Sequence, residues 1–131
     1  MKEDNRRDFG VRIDDMPRAV VAAFNGAFAG VELIDPRIEI DKAVDELRRQ
    51  KLRARWPDPD RLRAYIPIGL AFDSERLRVM IAEHSIKLAD IDVIIGLEML
   101  GDSEYQELPE IVLHVIRTLG CSVMLNVTVN Y

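Results

Sequence analysis

The most constraining feature of this sequence is the alternation of its last residues, 121–131. The apolar series comprises Cys121, Val123, Leu125, Val127, Val129 and Tyr131, and the mostly polar series comprises Ser122, Met124, Asn126, Thr128 and Asn130. A period of two predicts a β-strand that buries one face and leaves the other in water. The second half of the chain is therefore expected to form a one-sided sheet with helices packed on its apolar face.

Two more strand patterns precede this one, and each is followed by a helix pattern. The first strand has Ile66, Ile68, Leu70 and Phe72 on its inward face. Pro67 lies on this strand, which predicts an edge position or a bulge. The second strand alternates over residues 91–99. The helices begin at Asp73 or Ser74 and at Pro109, which suit helix N-termini. Their apolar stripes comprise Leu77, Met80, Ile81 and His84 in the first helix, and Leu108, Ile111, Val112, Val115, Ile116 and Leu119, followed by a closing Gly120, in the second.

The first half of the chain predicts one short strand and two helices. The strand pattern comprises Phe9, Val11 and Ile13. Asp14 or Asp15 is then expected to cap a helix with Pro17 in its first turn. The apolar stripe of this helix comprises Val20, Val21, Phe24 and Phe28. A second, mostly charged helix over residues 41–54 is predicted to lie on the surface. Its inward residues are Val44 and Leu47.

Together these elements predict an α+β fold with the order β-α-α-β-α-β-α-β. Alternating strands favour a two-layer sandwich, with an antiparallel or mixed sheet of about four strands and helices on one face, over a parallel sheet covered on both faces. A chain of 131 residues suits a single domain, residues 1–131, in which residues 1–8 are expected to be a flexible tail.

Composition narrows the classes of partner. The net charge is −5, which disfavours direct binding to nucleic acid or to an anionic membrane and favours a basic partner. No apolar run is long enough for a membrane helix, and the start resembles no secretory signal. With a single cysteine, the chain is predicted to be cytoplasmic. Residues 48–63 carry seven basic residues against two acidic ones, which indicates a solvated helix face rather than an RNA-binding patch.

The residues that usually carry chemistry are few and scattered. A metal site needs three or four converging ligands, and the chain offers His84, His114 and Cys121. His84 and Cys121 fall on apolar faces, so we interpret them as packing residues, and His114 as a surface residue. No P-loop, dinucleotide-binding or serine-hydrolase motif occurs. We therefore predict no catalytic residue, no metal and no cofactor.

An acidic segment precedes the last helix. It comprises Asp102, Glu104, Tyr105, Glu107 and Glu110. Acids at a helix N-terminus complement the helix dipole, which is one explanation for them. The alternative is a negative patch with a tyrosine anchor that docks on a basic partner. We take these five residues as the candidate partner-binding site.

A small acidic domain with this segment and no catalytic motif resembles the bacterial immunity proteins of toxin–immunity and contact-dependent growth-inhibition systems. The resemblance implies a non-enzymatic inhibitor that covers the active site of a basic, nuclease-type toxin domain with an acidic surface. The ending from Asp90 to Tyr131 also resembles small bacterial α+β proteins of unassigned function. Such a protein could be a ligand-binding or oligomeric domain. An enzyme that uses carboxylates alone is the third hypothesis.

Overall fold

A computed structural model describes residues 7–35, 38, 40, 42, 44–55, 60–100 and 107–130. The strands are β1 (Arg7–Pro17), β2 (Glu32–Ile34), β3 (Arg61–Pro67), β4 (Ile91–Leu100) and β5 (Ser122–Asn130), and the α-helices are α1 (Val21–Ala27), α2 (Glu46–Arg55), α3 (Ser74–Glu83) and α4 (Glu110–Leu119). The predicted α+β class is confirmed.

The strands form one mixed sheet in the order β2-β3-β1-β4-β5. All neighbours are antiparallel except β4 and β5, which are parallel. A parallel pair needs a crossover connection, and α4 lies in that connection. The sheet has five strands rather than about four, because the three-residue β2 is too short to show an alternating pattern.

The main core lies between one face of the sheet, here called the core face, and helices α1, α3 and α4. The sheet contributes Val11, Ile13, Ala64, Ile66, Ile91, Val93 and Ile95, and the helices contribute Phe24, Leu77, Met80, Ile81, Val112, Val115 and Leu119. Burial of each large side chain contributes about 1.5–3 kcal/mol. The opposite side of the sheet is called the second face below.

The ends of α3 and α4 follow their predicted capping residues. The Asp73 carboxylate accepts a hydrogen bond from the Arg76 backbone N–H at 3.0 Å and caps α3. Beyond the other end of this helix, Ser85 has a φ of 54°. Gly120 ends α4 with a φ of 64°. Only glycine adopts this left-handed conformation without steric cost, so the two helix ends differ in how well their sequence suits them.

The predicted cap at Asp14 or Asp15 is wrong, because both residues belong to β1. The register of β1 against β3 slips by one residue between Ile13 and Met16, so that Asp14 and Asp15 both lie opposite Arg63. This β-bulge places one extra residue in β1, so that Ile13 and Met16 both belong to the core. The alternation of apolar residues therefore stops at Asp14 and Asp15, although β1 continues to Pro17.

The expected tail at residues 1–8 is too long by at least two residues, because β1 begins at Arg7. Residues 1–6 lie outside the described part of the chain.

The edge position predicted from Pro67 is also wrong, since β3 lies between β2 and β1. Pro67 is the last residue of β3, a position where the missing N–H costs least. Leu70, expected to face inward, lies beyond the strand and is 96% exposed. Leu62 and Ala64 are buried in its place.

Helix α2 has no buried residue, which confirms its predicted surface position. The expected inward orientation of Val44 and Leu47 is wrong, since they are 95% and 58% exposed.

Candidate functional site

Strand β5 is the least covered apolar element of the described chain. It is an end strand of the sheet, and no described strand pairs with its outer side. Val123 and Val127 are each 45% exposed, and Leu125 is 60% exposed. On the second face, Met124 is 38% exposed. The alternation correctly predicted a strand, but the expected burial of its apolar face is wrong.

The register explains why these side chains remain uncovered. Val123 pairs with Val93 and Leu125 with Ile95, so the apolar residues of β5 continue the core face by one strand. Helix α4 buries Val112, Val115 and Leu119 in the core, yet β5 extends beyond this cover. The apolar core face therefore reaches the edge of the sheet partly open to solvent.

The two edges of the sheet differ in how they are protected. Natural sheets discourage pairing with other chains by short edge strands, charges, prolines or bulges. The edge strand β2 has only three residues, and Glu32 adds a charge. Strand β5 has nine residues, Ser122–Asn130, with no charge, proline or glycine. The β2 edge therefore has features that discourage pairing with another chain, whereas the β5 edge is suited to such pairing.

In the sequence, the predicted acidic site follows the end of β4 and reaches Glu110, the first residue of α4. Leu100, the last residue of β4, pairs with Asn130 near the end of the chain. Asp102, Glu104 and Tyr105 lie outside the described residues. Glu107 and Glu110 are exposed.

The backbone at Glu107 is tied to the sheet. The Arg7 guanidinium donates a hydrogen bond to its carbonyl oxygen and lies 5.1 Å from the centre of the Phe9 ring. These contacts connect the end of the acidic segment to the first residues of β1.

The second face carries a network of ion pairs across β1, β3 and β4. Arg12 donates to the Asp92 carboxylate at 2.8 Å, and its Nε lies 3.4 Å from Asp14. Arg63 donates to the same Asp14 oxygen at 2.9 Å. These side chains are only 18–26% exposed. The network therefore links three strands. Arg63, which belongs to the basic stretch at residues 48–63, is one of its members.

A tyrosine covers the sheet beside this network. The Tyr65 hydroxyl donates to the Asp8 carboxylate at 2.9 Å. A Cβ atom at Gly10 would lie 2.2 Å from Cζ of Tyr65, so glycine makes room for the ring. Burial, and then the hydrogen bond to Asp8, raise the pKa of Tyr65 well above its usual range. This tyrosine is a hydrogen-bond donor rather than an acid near neutral pH.

Cys121 and His84 pack against apolar residues, and His114 lies on the surface, as their patterns predicted. Cys121 is partly buried against the core. Burial, with a smaller contribution from Asp92, raises the pKa of its thiol. This disfavours the nucleophilic thiolate. The His84 ring lies 6.1 Å from the Phe24 ring, whereas His114 is exposed.

Two cavities open on the described part of the protein. The larger, about 370 Å³, lies between α1, β3 and α3, with Phe28 and Phe72 in its lining. Its acidic residue, Asp73, already caps α3. The smaller cavity, about 100 Å³, contains Asp15 and Asp90 together with basic residues. Neither arrangement indicates a particular reaction.

Within the described ranges, no three His, Cys, Asp or Glu side chains gather as a metal-binding group. None of the helices described here combines the length and apolar character needed to cross a membrane. The chain matches no protein-family model, no curated protein and no solved structure.

Proposed function

We propose that this protein is a non-enzymatic protein-binding module that adds a strand of another chain to its sheet at β5. The observation that supports this is the exposed, uncharged edge strand, with Leu125 60% exposed at its middle. In strand addition, backbone hydrogen bonds supply affinity and alternate side chains supply specificity. The proposed partner strand is uncharged and alternates apolar and polar residues, as β5 does.

The difference between the β2 and β5 edges supports strand addition at β5 over binding through any exposed apolar residue. Leu33 on β2 is also exposed, at 39%, but its strand offers only three residues for pairing. The β5 edge offers nine residues. A longer edge provides more backbone hydrogen bonds and fixes the register of the partner more firmly.

Site-specific photo-crosslinking in cells that express the protein tests this proposal. A photoreactive residue in place of Leu125 should give a covalent adduct with another polypeptide chain. The same residue in place of Leu33 or Leu70 is the matched control, because these side chains are exposed but lie off β5. Adducts at the control positions and none at Leu125 would refute the proposal.

A second candidate function is inhibition of a basic, nuclease-type toxin domain through the acidic segment. The supporting observation is that Glu107, which precedes α4, and Glu110, its first residue, are both exposed. An acidic surface of this kind would mimic phosphates and cover the toxin's active site. Such binding depends on charge and should weaken steeply with ionic strength.

Pull-down with a basic nuclease domain at low and high salt tests the inhibitor function. Changing Asp102, Glu104 and Glu107 together to lysine should abolish capture at low salt. The control changes an equal number of acids elsewhere to lysine. These control acids are Glu46, Glu75 and Glu83, which are exposed on α2 and α3. Equal loss of capture in both triple variants would mean that net charge, not this segment, is recognised.

A further inference from the structure

We infer that the partner strand at β5 is the β5 strand of a second copy of this chain, paired antiparallel about a two-fold axis. This inference rests on the proposed function, because it names the occupant of the same edge. The strand is uncharged over its nine residues. A second copy can therefore approach without placing like charges opposite each other, although the whole chain carries a charge of −5.

The alternation of β5 is complementary to itself in one register. With the axis at Leu125, Leu125 lies opposite its own copy and Val123 lies opposite Val127 of the partner subunit. Side chains directly opposite each other in an antiparallel pair share one face of the sheet. All three residues belong to the exposed apolar series. This register therefore joins the two open ends of the core face and brings their apolar side chains into cross-strand contact.

The same geometry places the other features of the two copies. The joined sheet has ten strands, with the short β2 strands at its two outer edges. The helices of both copies lie on the same side, because the core faces are continuous. Antiparallel pairing sends the carboxyl ends of the two β5 strands in opposite directions. The two copies of Leu100, which pairs with Asn130 and precedes the acidic segment, thus lie at opposite ends of the dimer interface.

Charge substitution at the axis tests both the dimer and its register. Size-exclusion chromatography with light scattering should give the wild type twice its 15.0 kDa chain mass. Leu125→Lys and Leu125→Glu should each weaken the dimer at least tenfold, because each places like charges directly opposite. An equimolar mixture should restore a dimer that contains one copy of each variant, as measured by native mass spectrometry. Unfolded variants could not give this result.

Leu33→Lys is the control, since it introduces the same charge on the opposite edge strand; it should remain dimeric. A monomeric wild type, or dimers that persist in both single variants, would refute the inference. So would a mixture that stays monomeric. A monomeric wild type together with a crosslink from position 125 to a different protein would refute the dimer but leave the proposed function standing. No crosslink at that position would refute both.

Discussion

Replacing Gly10 by alanine tests the packing of the second face. An alanine Cβ at this position would lie 2.2 Å from Cζ and 2.4 Å from Oη of Tyr65. Real Cβ atoms do not approach other atoms so closely, so the ring must swing away. The movement breaks the 2.9 Å hydrogen bond from Tyr65 to Asp8. We therefore expect Gly10→Ala to destabilise the protein through Tyr65 alone.

The magnitude is the sum of three contributions to the free energy of unfolding. Loss of the Tyr65 hydrogen bond costs about 1 kcal/mol, since it is exposed. Displacement of the packed ring costs about 1–2 kcal/mol more. Alanine in a strand is better than glycine by roughly 0.5–1 kcal/mol. The expected net loss is about 1–2.5 kcal/mol.

Urea denaturation of a double-mutant cycle checks this reasoning. In a Tyr65→Ala background no ring opposes the new methyl group, so Gly10→Ala should stabilise by about 0.5–1 kcal/mol. Gly26→Ala is the control, because a Cβ there meets no atom within 4 Å; it should stabilise both backgrounds. If Gly10→Ala destabilises equally with and without the Tyr65 ring, the steric explanation is wrong.

Three further predictions concern stability. In urea titrations at pH values from about 8 to 11, the advantage of wild type over Tyr65→Phe should shrink above about pH 10. Because the pKa of Tyr65 is raised in the folded protein, the tyrosine hydroxyl of the unfolded chain loses its proton at a lower pH. A stability difference that stays constant with pH would contradict this prediction. Ser85→Gly should stabilise by about 1 kcal/mol and Gly120→Ala should destabilise by about 1 kcal/mol in thermal denaturation, because both positions have positive φ; equal signs would exclude this explanation. Asp14→Asn should cost about 1–3 kcal/mol, since two arginines share its partly buried carboxylate. Asp15→Asn, at a 3.6 Å pair that is about 40% exposed, should cost under about 1 kcal/mol; an equal loss would show that burial does not set the difference.

Periodicity in the sequence predicted α3 and α4 more accurately than it predicted most of the strands. The stripes of α3 and α4, the cap at Asp73 and the end at Gly120 are confirmed. These features depend on neighbours three or four residues apart, so a short window of sequence contains them. Strand β4 was also predicted within a residue or two.

Features that depend on distant parts of the chain were not predictable in this way. Alternation in β5 identifies which side chains share a face, but not whether another element covers that face. The bulge at Asp14 and Asp15 depends on pairing with β3, and the sequence there resembles a helix cap. For the candidate site, the available signal was the absence of any charge in residues 121–131. The acidic segment remains a prediction, described only at Glu107 and Glu110.

The bulge in β1 has a consequence for how this protein tolerates changes in length. Before it, Val11 and Ile13 point to the core, and after it Met16 does so as well. Two residues therefore separate Ile13 from Met16, where a regular strand would have one between neighbours on the same face. Deleting either Asp14 or Asp15 would restore a regular strand while leaving every core side chain in place. Deleting Arg12 while the bulge is kept would move the side chains of residues 7–11 to the opposite face of the sheet. Homologous chains of different length should therefore differ at the two aspartates.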